Sequence, residues 1–583
     1  MTRRRRDTPG PAAGGTTSAR ARTWKRSAQG ARGCCSRGAI LCATPGAREA
    51  SVRQAPGADA MNVLLLSMPD SFEHMPPMAI RMPNGALASL AGNVDSHHRV
   101  AIADLILVQS SLRSTIERLV REIEPDIVGL SVMTFQRATA LAIAKLLRAL
   151  RPSVRIAVGG YDPSLAPAAY EGCRAIDFIV RGEGEQTLSD LLRALETAGA
   201  TAHAPRQLAA IAGLSYRLSG GFVRNADRPI MPLASSALRL PNRRARVLGG
   251  YTLLGRTVDV VETSRGCTFD CSFCSIIEMR GRNFHPYPID RVLADIADAR
   301  ANGAEAIFLV DDNITLDIVR FEALCQAIVD AGFDDMDYIV QAMTAPIARH
   351  GARLAPLMKR AGFRYVFLGI ENVLDEDLRF LRARAKNAQR EHGRTIGNAS
   401  IEAIRHLHEH GMYVVGGLIV GNPDDTRSSI DANLEFARRY VDWPYIQHPT
   451  PYPGTPMTRD FRDRGLIVDD DVSHYDGTTA VVRSEHLTAE DIEFLRWRAE
   501  RWMKLRHLPA ALGHNPLFIL RNAFAMMAHT FAGTSLRSMI GLEDDRAVFA
   551  RYRERRRQER ESYTSDAEPE RAHLRLSQGR VRA

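Results

Sequence analysis

The chain has little of what marks a membrane-spanning, secreted or nucleic-acid-binding protein. No uninterrupted apolar stretch approaches the ~18 residues that a bilayer-crossing helix needs. Aromatic residues make up only 7% of the 583. Cysteine is scarce, with eight residues that do not read as a disulfide framework in a chain of this length. A reduced, cytoplasmic setting is expected. The body also lacks an excess of charge of either sign. The formal net charge is +10, but residues 1–60 hold 12 Lys/Arg against 3 Asp/Glu, which leaves 65 against 64 for the rest. A nearly neutral body gives no reason to expect nucleic acid as a partner.

The basic segment, which opens MTRRRRDTPGPAAGGTTSAR, has no periodic apolar residues and reads as an unstructured extension over 1–60. Its GAILCA is too short for the apolar core of a secretory signal. Met61 opens directly onto a strand pattern, as a translation start would. Cys34, Cys35 and Cys42 fall in the extension, while Cys173 and Cys325 stand alone and read as small buried apolar residues.

A chain this long needs several cores. Over 61–200, β-rich runs at 62–67, 100–105, 126–132, 154–160 and 176–182 alternate with helical spacing. Five βα units with near-continuous apolar strands predict an α/β domain whose parallel sheet is covered on both faces. Such sheets bind ligands at the carboxyl ends of their strands. Ser131 and Thr134 follow the third strand here, Gly159 and Gly160 end the fourth, and Gly182, Glu183 and Gly184 end the fifth. Glycines let a bulky ligand approach the backbone, although each feature alone is also an ordinary βα turn.

The pattern GLSVMT, then VGG one βαβ spacing later, then DFIVRGEGE resembles the Rossmann-like cobalamin-binding domain at the N-terminus of many radical SAM enzymes. The resemblance implies that the seven residues just named bind cobalamin. The loop after the first strand, MPDSFEHMPP, lacks the Asp-x-His-x-x-Gly pattern that supplies an axial histidine in the methionine synthase type. His74 is wrongly spaced for that role, so cobalamin is expected without a histidine ligand.

A stretch over 201–250 with several Pro and Arg reads as a linker to a second domain over 251–480. A strand at 257–264 runs into SRGCTFDCSFCSI, which packs Cys267, Cys271 and Cys274 into eight residues. Structural zinc wants four ligands, usually as paired Cys-x2-Cys or with spaced histidines, and no second half is present. An all-cysteine iron–sulfur cubane uses four thiolates, so three leave one iron open for a substrate or cosubstrate. The motif resembles the signature of the radical SAM superfamily. That resemblance implies a [4Fe-4S] cluster whose open iron chelates S-adenosylmethionine, cleaves it with one electron and releases a 5′-deoxyadenosyl radical. It also implies a one-electron donor such as flavodoxin or ferredoxin.

Strands at 305–313, 336–344, 364–372, 412–421 and 443–456, with helical stretches between, complete six βα units. These resemble the partial (β/α)6 barrel of the superfamily, whose strand carboxyl ends form the active face. Asp311 and Asp312 end the second strand, where relatives carry a motif for the methionyl amine. Gln341 and Thr344 end the third and Glu371 the fourth, and Gly417, Ile419 and Gly421 resemble an adenine-side motif. Singly, each acidic residue is as well read as a solvated strand end.

The remainder, 481–583, reads as a small helical region. Residues 487–508 start on a capping-box-like Thr488 and Asp491. Residues 515–533 form an apolar helix expected to pack on its own domain, with a membrane-surface or lid role as the other reading. The arginine-rich end reads as a solvated helix that frays. The whole resembles the cobalamin-dependent radical SAM enzymes over 61–480. That implies methylation of an unactivated carbon of a small molecule, or else oxidative cyclisation or rearrangement with the same cofactors. A non-catalytic cobalamin-binding regulator is the reading from another class.

Overall fold

The structure is a computed structural model that describes residues 60–71, 79–197, 205–219, 221–235, 237–391, 394–531 and 542–568. His74 and the three cysteines of the extension lie outside the described residues.

The first sheet is built on β1 (Asn62–Ser67), whose side chains are almost all buried, as a strand covered on both faces requires. It pairs in parallel with β2 (Arg99–Asp104) on one side and β3 (Ile127–Ser131) on the other. β4 (Arg155–Gly159) and β5 (Phe178–Val180) continue outward from β3. The strand order is therefore 2-1-3-4-5, and the connection reverses direction at β1, which opens a crevice at the carboxyl ends of β1 and β3. In the stretch expected as a linker, Leu214–Leu218 and Gly221–Arg224 instead add two antiparallel strands to this sheet beyond β5.

The second sheet holds six parallel strands in chain order: β6 (Arg256–Val261), β7 (Ala306–Leu309), β8 (Asp337–Met343), β9 (Phe363–Glu371), β10 (Tyr413–Ile419) and β11 (Trp443–Gln447). It is the open (β/α)6 half-barrel. One face packs on its helices through Val340, Val366, Leu368 and Val414. The other carries Gln341, Phe367 and Gly369 toward the cysteine loop. Its first edge is extended by Thr252–Leu253 and then by Ile80–Arg81, a segment of the first domain. The two domains are therefore joined by a shared sheet edge.

The C-terminal helices are more than an appendage. Thr488 caps α1 (Ala489–Arg506), its hydroxyl accepting from the Asp491 amide at 3.1 Å. After it, Asn515 accepts from the Tyr365 hydroxyl at 2.8 Å and His514 meets the Tyr413 ring, so this region lies against the amino ends of β9 and β10. The arginine-rich end forms the expected helix, α2 (Asp545–Ala567), but that helix is bound to both domains; residues 569–583, over which it was expected to fray, lie outside the described residues. Val548 and Phe549 pack on Phe494 and Trp497, and Arg556 and Arg560 pair with the buried Asp476 of the barrel. At its far end Thr564 bonds Thr139, and the Asp566 carbonyl accepts from Arg113, both on helices of the first domain. Specific buried partners, which local composition does not show, hold this helix in place.

Candidate functional site

The three cysteines leave the end of β6 on a loop pinned at several points. Asp311 is fully buried at the end of β7 and accepts from the Thr263 amide at 2.6 Å and from the hydroxyls of Thr263 and Ser264. Its neighbour Asp312 accepts from the Gly266 amide at 2.7 Å. Gly266 has φ +88° and an Asn283 backbone oxygen 2.5 Å from where a Cβ would stand, so no other residue fits there. Farther on, Ser272 bonds the Leu381 carbonyl at 3.0 Å and accepts from the Met457 amide at 2.9 Å. The loop is thereby held from both sides of the half-barrel.

The thiols of Cys267, Cys271 and Cys274 converge on a cavity of about 100 Å³ whose remaining walls include Asp312, Asn313, Gln341, Phe367, Glu371 and Lys386. Burial pushes the Cys271 thiol up to about 11 and the Cys274 thiol up to about 12. Such thiols stay protonated unless a cation is bound among them, and a metal ion is what would hold all three as thiolates. The donor set thus fits a cluster with one iron left free of protein ligands.

Opposite the thiols, Lys386 donates to Glu371 at 2.7 Å. Burial works against the ammonium charge, yet Glu371 and the nearby thiols hold it above its ordinary value. Glu371 has φ +60° at a bulge between β9 and β10, a strained backbone that the surrounding sheet enforces.

The other residues of the expected SAM set divide in two. Asp312, Gln341 and Glu371 reach the thiol cavity, whereas Asp311 and Thr344 face inward, Asp311 building the loop and Thr344 bonding Asn387. Gly417 leaves room for Phe367, whose ring would lie 2.8 Å from an added Cβ and which itself lines the cavity. Ile419 is buried in a satellite core with Leu378, Met457 and Phe461. Gly421, at φ +101°, opens a turn in which Asp425 accepts from its amide at 2.7 Å.

Beside this turn, burial and the adjacent Asp425 raise Asp377 to about 7. A carboxyl with a raised folded value binds more protons when native, so its cost is absent below about pH 4 and complete above about pH 7. Asp377→Asn is therefore expected to raise the melting temperature at pH 8 and leave it unchanged at pH 4, with a gain of at most about 4 kcal/mol. Thermal scans at the two pH values check this.

The second cavity, of about 520 Å³, opens at the crevice of the first sheet. Ser131, Gly159, Gly160, Gly182, Glu183 and Gly184 all line it, while Thr134 is buried in a short helical turn set back from the wall. Gly160 sits at φ +106° with the Val132 carbonyl oxygen 2.8 Å from any Cβ, which forces glycine and leaves a bare backbone surface. Gly182, at φ +73°, faces open space. The opposite wall comes from the barrel through Arg265, Met279, Arg280 and Tyr287. At the cavity edge Glu183 Oε1 lies 3.4 Å from Arg265 and 3.9 Å from Arg280 Nε, ion pairs too loose to be hydrogen bonds. A glycine-lined, largely apolar cavity with such loosely held polar atoms at its edge fits a corrinoid with its peripheral amides. Gly159→Leu meets only ordinary contacts at its Cβ and should fold. It is expected to lower corrinoid retention at least about tenfold while leaving iron content unchanged, by absorbance and metal analysis; this follows if the added side chain occupies cavity space that costs more than one methylene to lose.

The two cavities adjoin, and an ion pair links their linings. Arg280 of the larger pairs with Asp312 of the smaller at 3.3 Å. Arg265, two residues before Cys267, bonds Glu262 at 2.7 Å and Glu185 of the first domain at 2.6 Å. Burial opposes the charge on Glu185, but Arg265 outweighs it and holds the carboxyl down at about 2. Lys386, Asn313 and Tyr161 escaped sequence reasoning. Lys386 lies on a four-residue helix (Arg384–Asn387) with no motif, whereas Asn313 adjoins Asp312, and Tyr161, which lines the larger cavity, adjoins Gly160; these were signals at hand.

A cysteine loop on a half-barrel, beside a glycine-lined crevice on a 2-1-3-4-5 sheet, defines a radical SAM enzyme with a corrinoid-binding domain. The family model for the B12 binding domain matches residues 74–192 and that for the radical SAM superfamily matches 261–437. The chain belongs to the radical SAM enzymes that carry an N-terminal cobalamin-binding domain, and its cofactors are cobalamin, a [4Fe-4S] cluster and S-adenosylmethionine. It is 28% identical to an uncharacterized methyltransferase of Pyrococcus horikoshii over 75% of this chain and 91% of that one. It is 26% identical to the anaerobic magnesium-protoporphyrin IX monomethyl ester cyclase of Cereibacter sphaeroides, over 72% of this chain and 65% of that one. The hopanoid C-3 methylase of Methylococcus capsulatus is also 26% identical, over 58% and 63%. The chain thus spans just under two thirds of the last two. In fold it resembles the radical S-adenosylmethionine methyltransferase TsrM from Kitasatospora setae, with a TM-score of 0.55 at 19% identity over 69% of this chain and 75% of that one. It also resembles the cobalamin-dependent radical enzyme OxsB, at 0.53 and 16% over 89% and 81%.

Proposed function

We propose that this enzyme transfers a methyl group to an unactivated carbon of a small-molecule substrate. The adjacency of the thiol cavity and the corrinoid cavity, linked by Arg280 and Asp312, supports this reading most directly, because it brings hydrogen abstraction and methyl supply close together. When bound, the cluster and S-adenosylmethionine supply a carbon-centred radical, and the corrinoid supplies the methyl group.

The protein's own work is positional. Cys267, Cys271 and Cys274 hold the cluster, and Asp311 holds their loop. Asp312, Gln341, Glu371, Asn313 and Lys386 border the open side of the thiol cavity, where a cosubstrate's amino, carboxylate and ribose groups find donors and acceptors. Gly417 acts through Phe367, and Ile419 and Gly421 shape the end of β10. Ser131, Gly159, Gly160, Gly182, Glu183 and Gly184 form the seat for the corrinoid, with Thr134 behind them. Electrons come from a flavodoxin- or ferredoxin-type donor. Among the described residues no helix is long and apolar enough to cross a membrane. Unpaired thiols fit a reducing, cytoplasmic setting.

The test is anaerobic incubation of the fully reconstituted enzyme with reductant, candidate substrates and S-adenosylmethionine labelled in its methyl group. Labelled product with both deoxyadenosine and S-adenosylhomocysteine is expected. Deoxyadenosine with an unlabelled, rearranged product would replace the proposal with cyclisation. Retained corrinoid without any cleavage would leave only the regulator.

A further inference from the structure

The apolar helix α3 (Pro516–Thr530) does not pack on its own domain as its composition suggests. Ile519 is its one buried residue. Its outer face shows Leu517 (76% exposed), Leu520 (68%), Phe524 (88%) and Met527, spaced three, four and three residues apart on one side of the helix. The inner side is anchored, with Asn515 bonded to Tyr365 and the Phe518 ring against Gly255. Trp502, 63% exposed on α1, meets Phe531 edge-on at the end of α3. Of the fifteen large apolar side chains exposed among the described residues, seven fall between Trp502 and Leu542.

The charge of the same segment is one-sided. Residues 501–542 contain Arg501, Lys504, Arg506, Arg521 and Arg537 and three histidines, but no Asp or Glu. The rest of the body is close to neutral. An exposed apolar face with Arg521 on the same helix, in a segment without acidic residues and on a helix of 15 residues that is too short to span, has the chemistry of a helix lying in a membrane interface. A second copy of this chain would bring two wholly basic segments face to face, which like-charge repulsion opposes. Nucleic acid would satisfy the charge but leave the aliphatic face in water.

We propose that this face docks the enzyme on an anionic lipid surface, with α3 lying in the plane of the headgroups. The proposal is independent of the reaction catalysed. Its test is flotation of the full-length holoenzyme with vesicles of phosphatidylcholine alone or mixed equally with phosphatidylglycerol. The enzyme is expected to float with the mixed vesicles at low salt and to release at about 1 M salt, where screening acts within about 3 Å.

Each cation at an anionic surface contributes about fivefold to affinity, so the charge reversal Arg521→Glu should weaken binding at least about tenfold. Phe524→Asp should do likewise, with Leu517→Ser as a milder second variant. All three residues are outside the site, and equal melting temperature, iron content and corrinoid content will show that the variants fold. Failure of the wild type to float with the mixed vesicles at low salt overturns the proposal. So does flotation that Phe524→Asp and Leu517→Ser leave unchanged, or equal binding to phosphatidylcholine alone. A dimer by sedimentation that Phe524→Asp dissolves would assign the face to a second copy instead.

Discussion

Replacing any one of Cys267, Cys271 and Cys274 by alanine is expected to strip the iron and sulfide from the protein and reduce S-adenosylmethionine cleavage below detection. The three thiols come from one short loop and share a cavity of about 100 Å³, so no neighbouring cysteine can substitute. The other described cysteines do not help: Cys325 is buried in the barrel core and Cys173 lies against the core of the first domain. Iron analysis and deoxyadenosine formation measure the effect. Asp311→Ala gives an informative contrast, because Asp311 holds the loop without reaching the cavity. It should lower cluster occupancy in part, with activity per bound cluster close to that of the wild type. A single cysteine variant that kept a full cluster and normal cleavage would remove the assignment of the loop.

The second large effect is expected from Arg265→Ala. This side chain is buried between Glu262 of the barrel and Glu185 of the first domain, with Glu183 at 3.4 Å. Removing one partner from a buried charge cluster leaves the others desolvated and unpaired, which costs about 3–5 kcal/mol. Lysine cannot replace the planar fork that serves two carboxylates at once, so Arg265→Lys should recover little. Glu185→Gln in the Arg265→Ala background removes one stranded charge and should restore part of the loss. Urea unfolding of the wild type, Arg265→Ala, Glu185→Gln and the double variant supplies the cycle, and additive effects within about 0.5 kcal/mol would show that the pair is not coupled. Because the cluster joins the corrinoid wall to the residue two before Cys267, Arg265→Ala should also loosen corrinoid retention.

Much of this was legible in the sequence, and for a local reason. Each parallel strand is a short apolar run followed by a helical period, and that alternation survives without knowledge of contacts. All eleven strand segments therefore appear within a few residues of where the pattern places them, the last running shorter than its apolar stretch. The cysteine spacing is likewise a local signal, and so are the glycines at 159, 160, 182 and 184.

The facing of side chains was not legible. Asp311 and Asp312 are adjacent and chemically alike, and only the end of β7 turns one into the loop and the other into the thiol cavity. Ile419 and Gly421 match a motif, yet the fold gives them packing and turn-forming places. Lys386 reaches the cavity from a four-residue helix, too short for any periodicity to mark. Ile80–Arg81 pairs with Thr252–Leu253 at the barrel edge, and a two-residue strand leaves no pattern by which to foresee it.

The two ends of the C-terminal region show the same division. Composition sets α2 as charged and α3 as apolar, and from that the first was expected in solvent and the second in a core. The tertiary structure overturns the second and adds to the first: α2 keeps an exposed charged face but is anchored through Val548, Phe549 and Ala567. Buried Asp476 and the cluster of Phe494 and Trp497 draw α2 inward, while α3 has no described partner on its outer face. The sequence by itself determined the strands, the helices and the three-thiol loop, because these depend on neighbours along the chain. Which charges are buried, which apolar face is left exposed and which carboxylate meets the thiols depended on residues far away in sequence, and only the packed chain decided them.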